Sequence, residues 1–403
     1  RVKTLLKKID DLIEGLEQKV RQTLSVDVAN TEQLRDALQS LDDREFDLSD
    51  LNKEIDKDST PVDAHWLKGV TGLIKELKDL RWKYTDGITG SGRSNMGIVN
   101  ATGCTSVWGS TYPINPYPFP WANHLFQDSP SVAMGLFEGH MQKMGEGFKT
   151  VRMAEHELEN SGEELDLTYF TWKDFTNEEF LLCPPVVAVG GDGAMYDIGF
   201  QNLSRMLMSG KPIKTMVVDT QVYSNTGGQA CTSGFIGQIS DMATFGGVNQ
   251  GKQEMRKEMG LIGFAHRTSY ILQSSSASPP HLIEGFIEGL NSRRPALFNI
   301  YTACQPEHGI ADDISYDQSK LALESRAYPF VRYNPDKGNL PSECFDLDGN
   351  PEIELDWPKY PLHYLDDDGN ECSMELAMTF ADFAASEARF RKHFKEAPRD
   401  TWD

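Results

Sequence analysis

The stretch that most constrains this 403-residue chain runs from Pro184 to Gln229 and reads PPVVAVGGDGAMYDIGFQNLSRMLMSGKPIKTMVVDTQVYSNTGGQ. Pro185 to Gly190 is a short, unbroken β-branched run, the pattern of a strand buried on both faces of a parallel sheet. Gly191-Asp192-Gly193 stands at its carboxyl end, where open α/β sheets bind ligands. Met195 to Ser209 follows, with Ile198, Leu203, Met206 and Leu207 at helical spacing. Ile213 to Val218 reads as the next buried strand, and Thr220, Val222 and Asn225 lie in the polar, glycine-rich segment after it. Two successive strand ends therefore aim at one spot.

A glycine-flanked carboxylate between a strand and a helix suits a phosphate and its metal. A diphosphate carries more charge than a helix N-terminus offsets, so a divalent cation is the usual bridge. Magnesium prefers octahedral oxygen ligands: the Asp192 carboxylate, an oxygen of Thr220 or Asn225, and a backbone carbonyl of the same loop would meet that preference.

GDGAMYDIGF, coupled to DTQVYSNTGGQ from Asp219, resembles the magnesium and diphosphate signature of thiamine diphosphate enzymes, in the version found in pyruvate:ferredoxin oxidoreductases. NATGCTSVWG from Asn100 is similar to that family's NATGCSSIWG block, and WANHLFQDSPSVAMGLFEGH from Trp121 is similar to the block after it. YTACQPEHGI from Tyr301 and ESRAYPFVRYNP from Glu324 resemble the family's later segments. The resemblance runs from Met96 onward and is absent before it. It implies that Asp192, Thr220 and the Val222 carbonyl hold magnesium (Mg2+), and that Gly191, Gly193 and Asn225 surround the diphosphate of thiamine diphosphate, Asn225 being the catalytic candidate. It places Thr105 and Ser106 beside the cofactor, and makes Cys104 and Cys304 ligands of a [4Fe-4S] cluster. Four thiolates hold such a cluster. The other two cluster cysteines, and the glutamate that meets the cofactor's pyrimidine ring, are expected from outside this chain.

Upstream, Val2, Leu5, Leu6, Ile9, Leu12, Ile13, Leu16, Val20 and Leu24 keep a three-four spacing that predicts an amphipathic helix. A shorter helix after Asn30-Thr31, an acidic spacer from Asp42 to Asp58 and a third helix from Val62 to Trp82 complete a helical arm or insertion over residues 1–85. The alternative use for this arm is docking a partner subunit. Asp86 to Asn95 is a glycine-rich connector in which no strand precedes Gly90-Ser91-Gly92, so it is not the phosphate cradle. Residues 96–315 are expected to form the cofactor-binding domain, a doubly wound, mostly parallel α/β sheet, because strands alternate with helix-length crossovers. Within it we expect helices at Phe137–Asn160, Gln250–Met259 and Pro279–Asn291, and strands at Phe264–Leu272 and Pro295–Tyr301. Residues 316–403 form an irregular acidic extension packing on that domain or on a partner, with turns at Asp346–Asn350 and Asp366–Asn370 and a closing helix from Met374 to His393. Neither turn has the spacing of a calcium loop.

Thirty-nine basic against sixty-one acidic residues leave a net charge of −22, which argues against nucleic acid, and no run of eighteen apolar residues is available to span a membrane. The six cysteines include no CxxC pair, so a reducing, cytoplasmic setting is expected rather than a disulfide scaffold. Cys183 reads as a core cysteine, and Cys231 as a neighbour of the cofactor pocket. His308, beside Cys304, reads as structural like the isolated His124, His266 and His281, with support of the site as its alternative. The chain opens Arg-Val-Lys, as part of a longer protein would.

The function the resemblance implies is oxidative decarboxylation of a 2-oxo acid, pyruvate first, to acyl-CoA and carbon dioxide. Coenzyme A takes the acyl group, and iron-sulfur clusters pass electrons to ferredoxin or flavodoxin in a dimeric assembly. The same chemistry reversed is a synthase. The alternatives are a cluster-free thiamine diphosphate decarboxylase or ligase, and a non-catalytic assembly subunit that retains the fold.

Overall fold

The computed structural model describes residues 1–25, 63–109, 115, 117–124, 128–159 and 165–394. The predicted second helix and the acidic spacer lie outside them. The chain divides into two compact units, one of Arg1–Asn95 with Glu138–Pro184, the other of Met96–Phe137 with Pro185–Asp403.

The first unit is helical. Helix α1 spans Val2–Ser25 and buries Leu5, Ile9, Leu12, Leu16, Val20 and Leu24, the predicted stripe. Helix α2, Ala64–Thr85, starts at Asp63, whose carboxylate accepts the backbone N–H groups of His65 and Trp66, and buries Leu67, Val70, Ile74 and Leu77. From Glu138 on, helix α4 (Ser129–Glu159) adds Met141, Met144, Phe148 and Val151 to this core. Glu157 ties the three helices together, accepting from Lys19 Nζ and from Trp66 Nε1, each at 2.8 Å.

The second unit is built on an eight-stranded sheet among the described residues. Its strands are β1 (Gly97–Ala101), β2 (Trp121–His124), β3 (Val186–Gly191), β4 (Lys214–Asp219), β7 (Tyr270–Ser275), β8 (Ala296–Tyr301), β9 (Val331–Tyr333) and β10 (Phe345–Asp346), in the order β10-β9-β7-β8-β4-β3-β1-β2. The six from β7 to β2 run parallel, and β9 pairs antiparallel with β7. This is the expected mostly parallel α/β sheet. The segments Val186–Gly190, Tyr270–Ser275 and Ala296–Tyr301 are buried throughout, as β-branched and aromatic runs between two layers must be. Helices α5 (Phe200–Met208), α6 (Met259–Ala265) and α7 (Pro279–Asn291) follow β3, β4 and β7 as crossovers. Leu282, Phe286 and Leu290 of α7 pack on Tyr270, Leu272 and Phe298.

Several element boundaries differ from those expected. Residues 250–258 are irregular and the helix begins only at Met259, because Lys252 folds its Nζ back onto the carbonyls of Glu254 and Met255 while Arg256 is drawn inside. Strand β7 accordingly starts at Tyr270 rather than Phe264. The closing helix is three elements: Glu371–Ala377 is strand β12, paired with β11 (Lys359–Leu365) across the Asp366–Asn370 turn, Phe380–Ala385 is helix α8, and Ala388–His393 is a 3-10 turn. Thr379 and Asp382 form a capping box that starts α8, which a continuous helix would not contain. Ile198, counted on the buried face of the first crossover helix, is instead exposed, because Gly193–Ile198 winds as a π-helical turn before α5 and shifts the face by a residue. No described helix is long and apolar enough to cross a membrane.

Candidate functional site

Along the sheet β8, β4, β3 and β1 are neighbours, so their carboxyl ends line one edge. Chain connections leave β1 toward β2 on one side, while β3 continues toward β4 on the other; the crevice between β1 and β3 is the topological switch point where such sheets take ligands. Asp192 follows β3, Cys104 opens helix α3 (Cys104–Gly109) after β1, Thr220 follows β4, and Cys304 follows β8.

The Asp192 carboxylate is almost completely buried. Its Oδ1 lies 3.1 Å from Thr220 Oγ1, and Thr220 Oγ1 lies 3.1 Å from the Val222 carbonyl oxygen. Ser224 Oγ approaches the same threonine hydroxyl at 2.8 Å. A hydroxyl has one hydrogen, so Thr220 cannot donate to Asp192 and Val222 together. One of the two contacts is oxygen against oxygen. Adjacent ligands on an octahedral magnesium, bound at 2.0–2.1 Å, stand about 3.0 Å apart, so these oxygens sit at the spacing of one coordination shell. Burial first, and the neighbouring Asp219 second, push the Asp192 carboxyl up to about 7, against hydrogen bonds from Ser233 and Thr220. A cation at this point would relieve both.

The glycines make the approach possible. A Cβ on Gly193 would stand 2.5 Å from the Tyr223 ring, which covers the turn after Asp192. Gly228 has φ +89° in the loop between β5 (Val222–Tyr223) and β6 (Gln229–Ala230), and a Cβ there would collide with the Glu307 carboxylate. Asn225 is exposed in the same loop. Gly191 ends β3 behind Asp192.

Cys104 and Cys304 are both partly buried, and burial, then Cys304, Asp192 and Glu307 in turn, raise the Cys104 thiol above its ordinary range. The Cys104 thiol thus lies near Cys304 and near the Asp192 and Glu307 carboxylates. Among the described residues no three His, Cys, Asp or Glu side chains gather to hold a metal, so any cluster on this pair takes further ligands from elsewhere. Thr105 gives its hydroxyl to the Ala101 carbonyl at 3.2 Å, and Ser106 Oγ accepts from Asn100 Nδ2 at 2.8 Å; both hydroxyls are engaged within the β1 corner. Cys231 is buried, its thiol raised by burial and then by Asp192.

Sequence reasoning gives Ser233 and Asp219 no role at the site and leaves His308 as structural, with support of the site as its alternative. Ser233 donates to Asp192 Oδ2 at 2.6 Å from a segment recognisable only as rich in small residues. Asp219, wholly buried, accepts from Tyr196 OH at 2.8 Å and from the Gln221 N–H at 3.2 Å, with Arg256 3.6 Å away. His308 Nε2 donates to the Thr220 carbonyl at 2.8 Å.

A mostly parallel sheet with its switch point between β1 and β3 thus sets clustered oxygens beside a glycine loop. The family profile described as "Thiamine pyrophosphate enzyme, C-terminal TPP binding domain" matches residues 181–300. The chain is 26% identical over 343 residues to a pyruvate-flavodoxin oxidoreductase of Klebsiella pneumoniae, covering 75% of this chain and 27% of that protein. It is 28% identical over 300 residues to a pyruvate:ferredoxin oxidoreductase of Moorella thermoacetica, covering 63% and 25%. A solved 2-oxoglutarate:ferredoxin oxidoreductase from Magnetococcus marinus superposes with a TM-score of 0.38 at 17% identity, over 66% of this chain and 69% of that one. The chain is thus similar to pyruvate:ferredoxin oxidoreductases, with a thiamine pyrophosphate-binding profile over residues 181–300, and it spans about a quarter of the length of these two pyruvate oxidoreductase relatives.

Proposed function

We propose that this chain is the diphosphate- and cation-binding part of a 2-oxo acid oxidoreductase, with pyruvate as substrate, coenzyme A as acyl acceptor, and ferredoxin or flavodoxin as electron acceptor. What carries the reading is the 3.1 Å spacing of Asp192 Oδ1, Thr220 Oγ1 and the Val222 carbonyl at two successive strand ends. In this reading Asp192, Thr220 and Val222 hold Mg2+, and Gly191, Gly193 and Asn225 bracket the diphosphate. The Tyr223 ring and Ser233 keep Asp192 in place and water away. Thiamine diphosphate, when bound, supplies the carbon nucleophile and the electron sink for decarboxylation. Cys104 and Cys304 supply two ligands of a [4Fe-4S] cluster that removes the electrons, the remaining ligands and the pyrimidine-site glutamate coming from other parts of the assembly, which is a dimer.

The test is calorimetric titration of thiamine diphosphate into the intact protein with Mg2+, for the native chain and Asp192→Ala, alongside iron analysis and visible spectra of Cys104→Ser and Cys304→Ser. We expect Asp192→Ala to weaken cofactor binding at least about 100-fold and either serine variant to lose most visible absorbance. Unchanged cofactor binding in Asp192→Ala sinks the reading. Turnover of a 2-oxo acid by iron-free protein establishes the cluster-free decarboxylase or ligase instead, and absence of cofactor binding by the native protein establishes the assembly subunit.

A further inference from the structure

The loop that offers Thr220 and Val222 is strained, and the residues that hold it come from the far end of the chain. Gln221, between them, is wholly buried with φ +63°, a left-handed conformation that a non-glycine residue keeps only when its surroundings impose it. This reversal lets the Thr220 hydroxyl and the Val222 carbonyl face the same point beside Asp192. Four hydrogen bonds impose it. The Gln221 N–H donates to Asp219, its carbonyl accepts from Gln238 Nε2 at 2.9 Å, its side-chain Oε1 accepts from Arg389 Nη2 at 2.7 Å, and the preceding carbonyl, of Thr220, accepts from His308 Nε2 at 2.8 Å.

Arg389 is the centre of this support. Its Nη1 donates to Gln238 Oε1 at 3.1 Å, its Nε to Glu387 Oε2 at 2.6 Å, and its backbone carbonyl accepts from Ile239 at 2.9 Å. Glu387 in turn accepts from Gln318 Nε2 at 3.0 Å and stands 3.4 Å from His308 Nδ1. Gln238, His308, Gln318, Glu387 and Arg389 are all buried. An ion pair sealed in a core contributes little net stability compared with apolar residues of the same shape. It does fix where its hydrogen-bonded neighbours lie.

We infer that Glu387, Arg389 and His308 are positioning residues for the cation site: the C-terminal segment holds Gln221 in its left-handed turn and so keeps Thr220 and Val222 on Asp192. The inference rests on the cofactor reading above and adds to it that cofactor binding and docking of residues 387–389 are reciprocal, each tightening the other. None of these three side chains reaches the proposed ligands' own oxygens apart from the Thr220 backbone carbonyl, which is not one of them.

The probe is Mn2+ in place of Mg2+, its binding to the intact protein in the presence of thiamine diphosphate read by the electron paramagnetic resonance of free Mn2+. Glu387→Gln/Arg389→Met removes both buried charges together and strands neither. We expect it to bind Mn2+ 10–100-fold more weakly than the native protein, and the added change Gln221→Gly to restore at least tenfold, because glycine adopts the turn unaided. Gln221→Ala and Gln221→Gly lose the same contact to Arg389, yet alanine alone must be forced left-handed, so alanine should bind about tenfold more weakly. That comparison decides by itself if the charge variant does not fold. Native affinity in the charge variant, a loss that Gln221→Gly does not repair, or equal affinities for the alanine and glycine variants each overturn the brace while leaving the cofactor reading intact. A native protein that binds no Mn2+ with thiamine diphosphate overturns the cofactor reading, and the brace with it.

Discussion

At Gly193 the space of one hydrogen atom separates a working turn from a blocked one. The Tyr223 ring lies where a Cβ would project, and its hydroxyl donates to the Gly193 carbonyl at 3.3 Å, so neither partner can withdraw without breaking the other's contact. Gly193→Ala is expected to cost about 1–3 kcal/mol in urea unfolding, the usual range for forcing a group into a packed site. Adding Tyr223→Ser should recover most of it; a Gly193→Ala protein as stable as the native one would mean that the ring moves freely. The importance of this glycine was legible in the sequence, since GDG at a strand end is a local pattern. What lies over it was not, for Tyr223 reaches it from thirty residues away.

At the scale of the element, β4 carries Lys214 at its first position, opposite the end that holds the site. The ammonium stem is buried and Nζ donates to the carbonyls of Ser292 and Arg294 at 2.7 and 3.0 Å, closing the turn between α7 and β8. Burial lowers the Lys214 pKa to about 7. The unfolded lysine titrates near about 10.4, so between the two values the folded chain holds fewer protons and its stability rises with pH; the gain is complete above the unfolded pKa and lost as pH falls through about 7. Between pH 7 and pH 9 this group alone contributes a rise of about 2 kcal/mol. Urea titrations of the native protein and Lys214→Met at both pH values should differ by that amount in their slopes with pH, and parallel curves would show that the lysine stays charged. Nothing in the sequence marks this lysine, which opens an apolar run just as a solvated strand start would. The helix expected at Gln250–Met259 fails for a related cause: its charged and apolar spacing is helical, but Lys252 folds back onto the carbonyls of Glu254 and Met255, and Arg256 turns inward to Asp219, a partner from a distant part of the chain.

For the whole molecule, the division into two units separates stability from the site. Every residue proposed here to touch the cation, the diphosphate or the cluster belongs to the second unit, whereas α1 and α2 build the core of the first. Leu16 in α1 is fully buried, and Leu16→Ala should cost about 2–5 kcal/mol. Amide hydrogen exchange should then quicken through α1 and α2, with Mn2+ and thiamine diphosphate affinity unchanged; a parallel fall in affinity would show that the helical unit takes part in the site. The sequence by itself determined the class of sheet, helices α1 and α2 and the Asp192 turn, because each is written in hydrophobic period or in glycine placement along contiguous stretches of chain. Only the tertiary structure decided that β8 inserts between β7 and β4, that Ser233 and His308 arrive at the Asp192 loop, and that Glu387 and Arg389 close behind Gln221. Strand order and the pairing of buried polar groups depend on contacts between distant segments, and side-chain periodicity holds no record of which segments those will be.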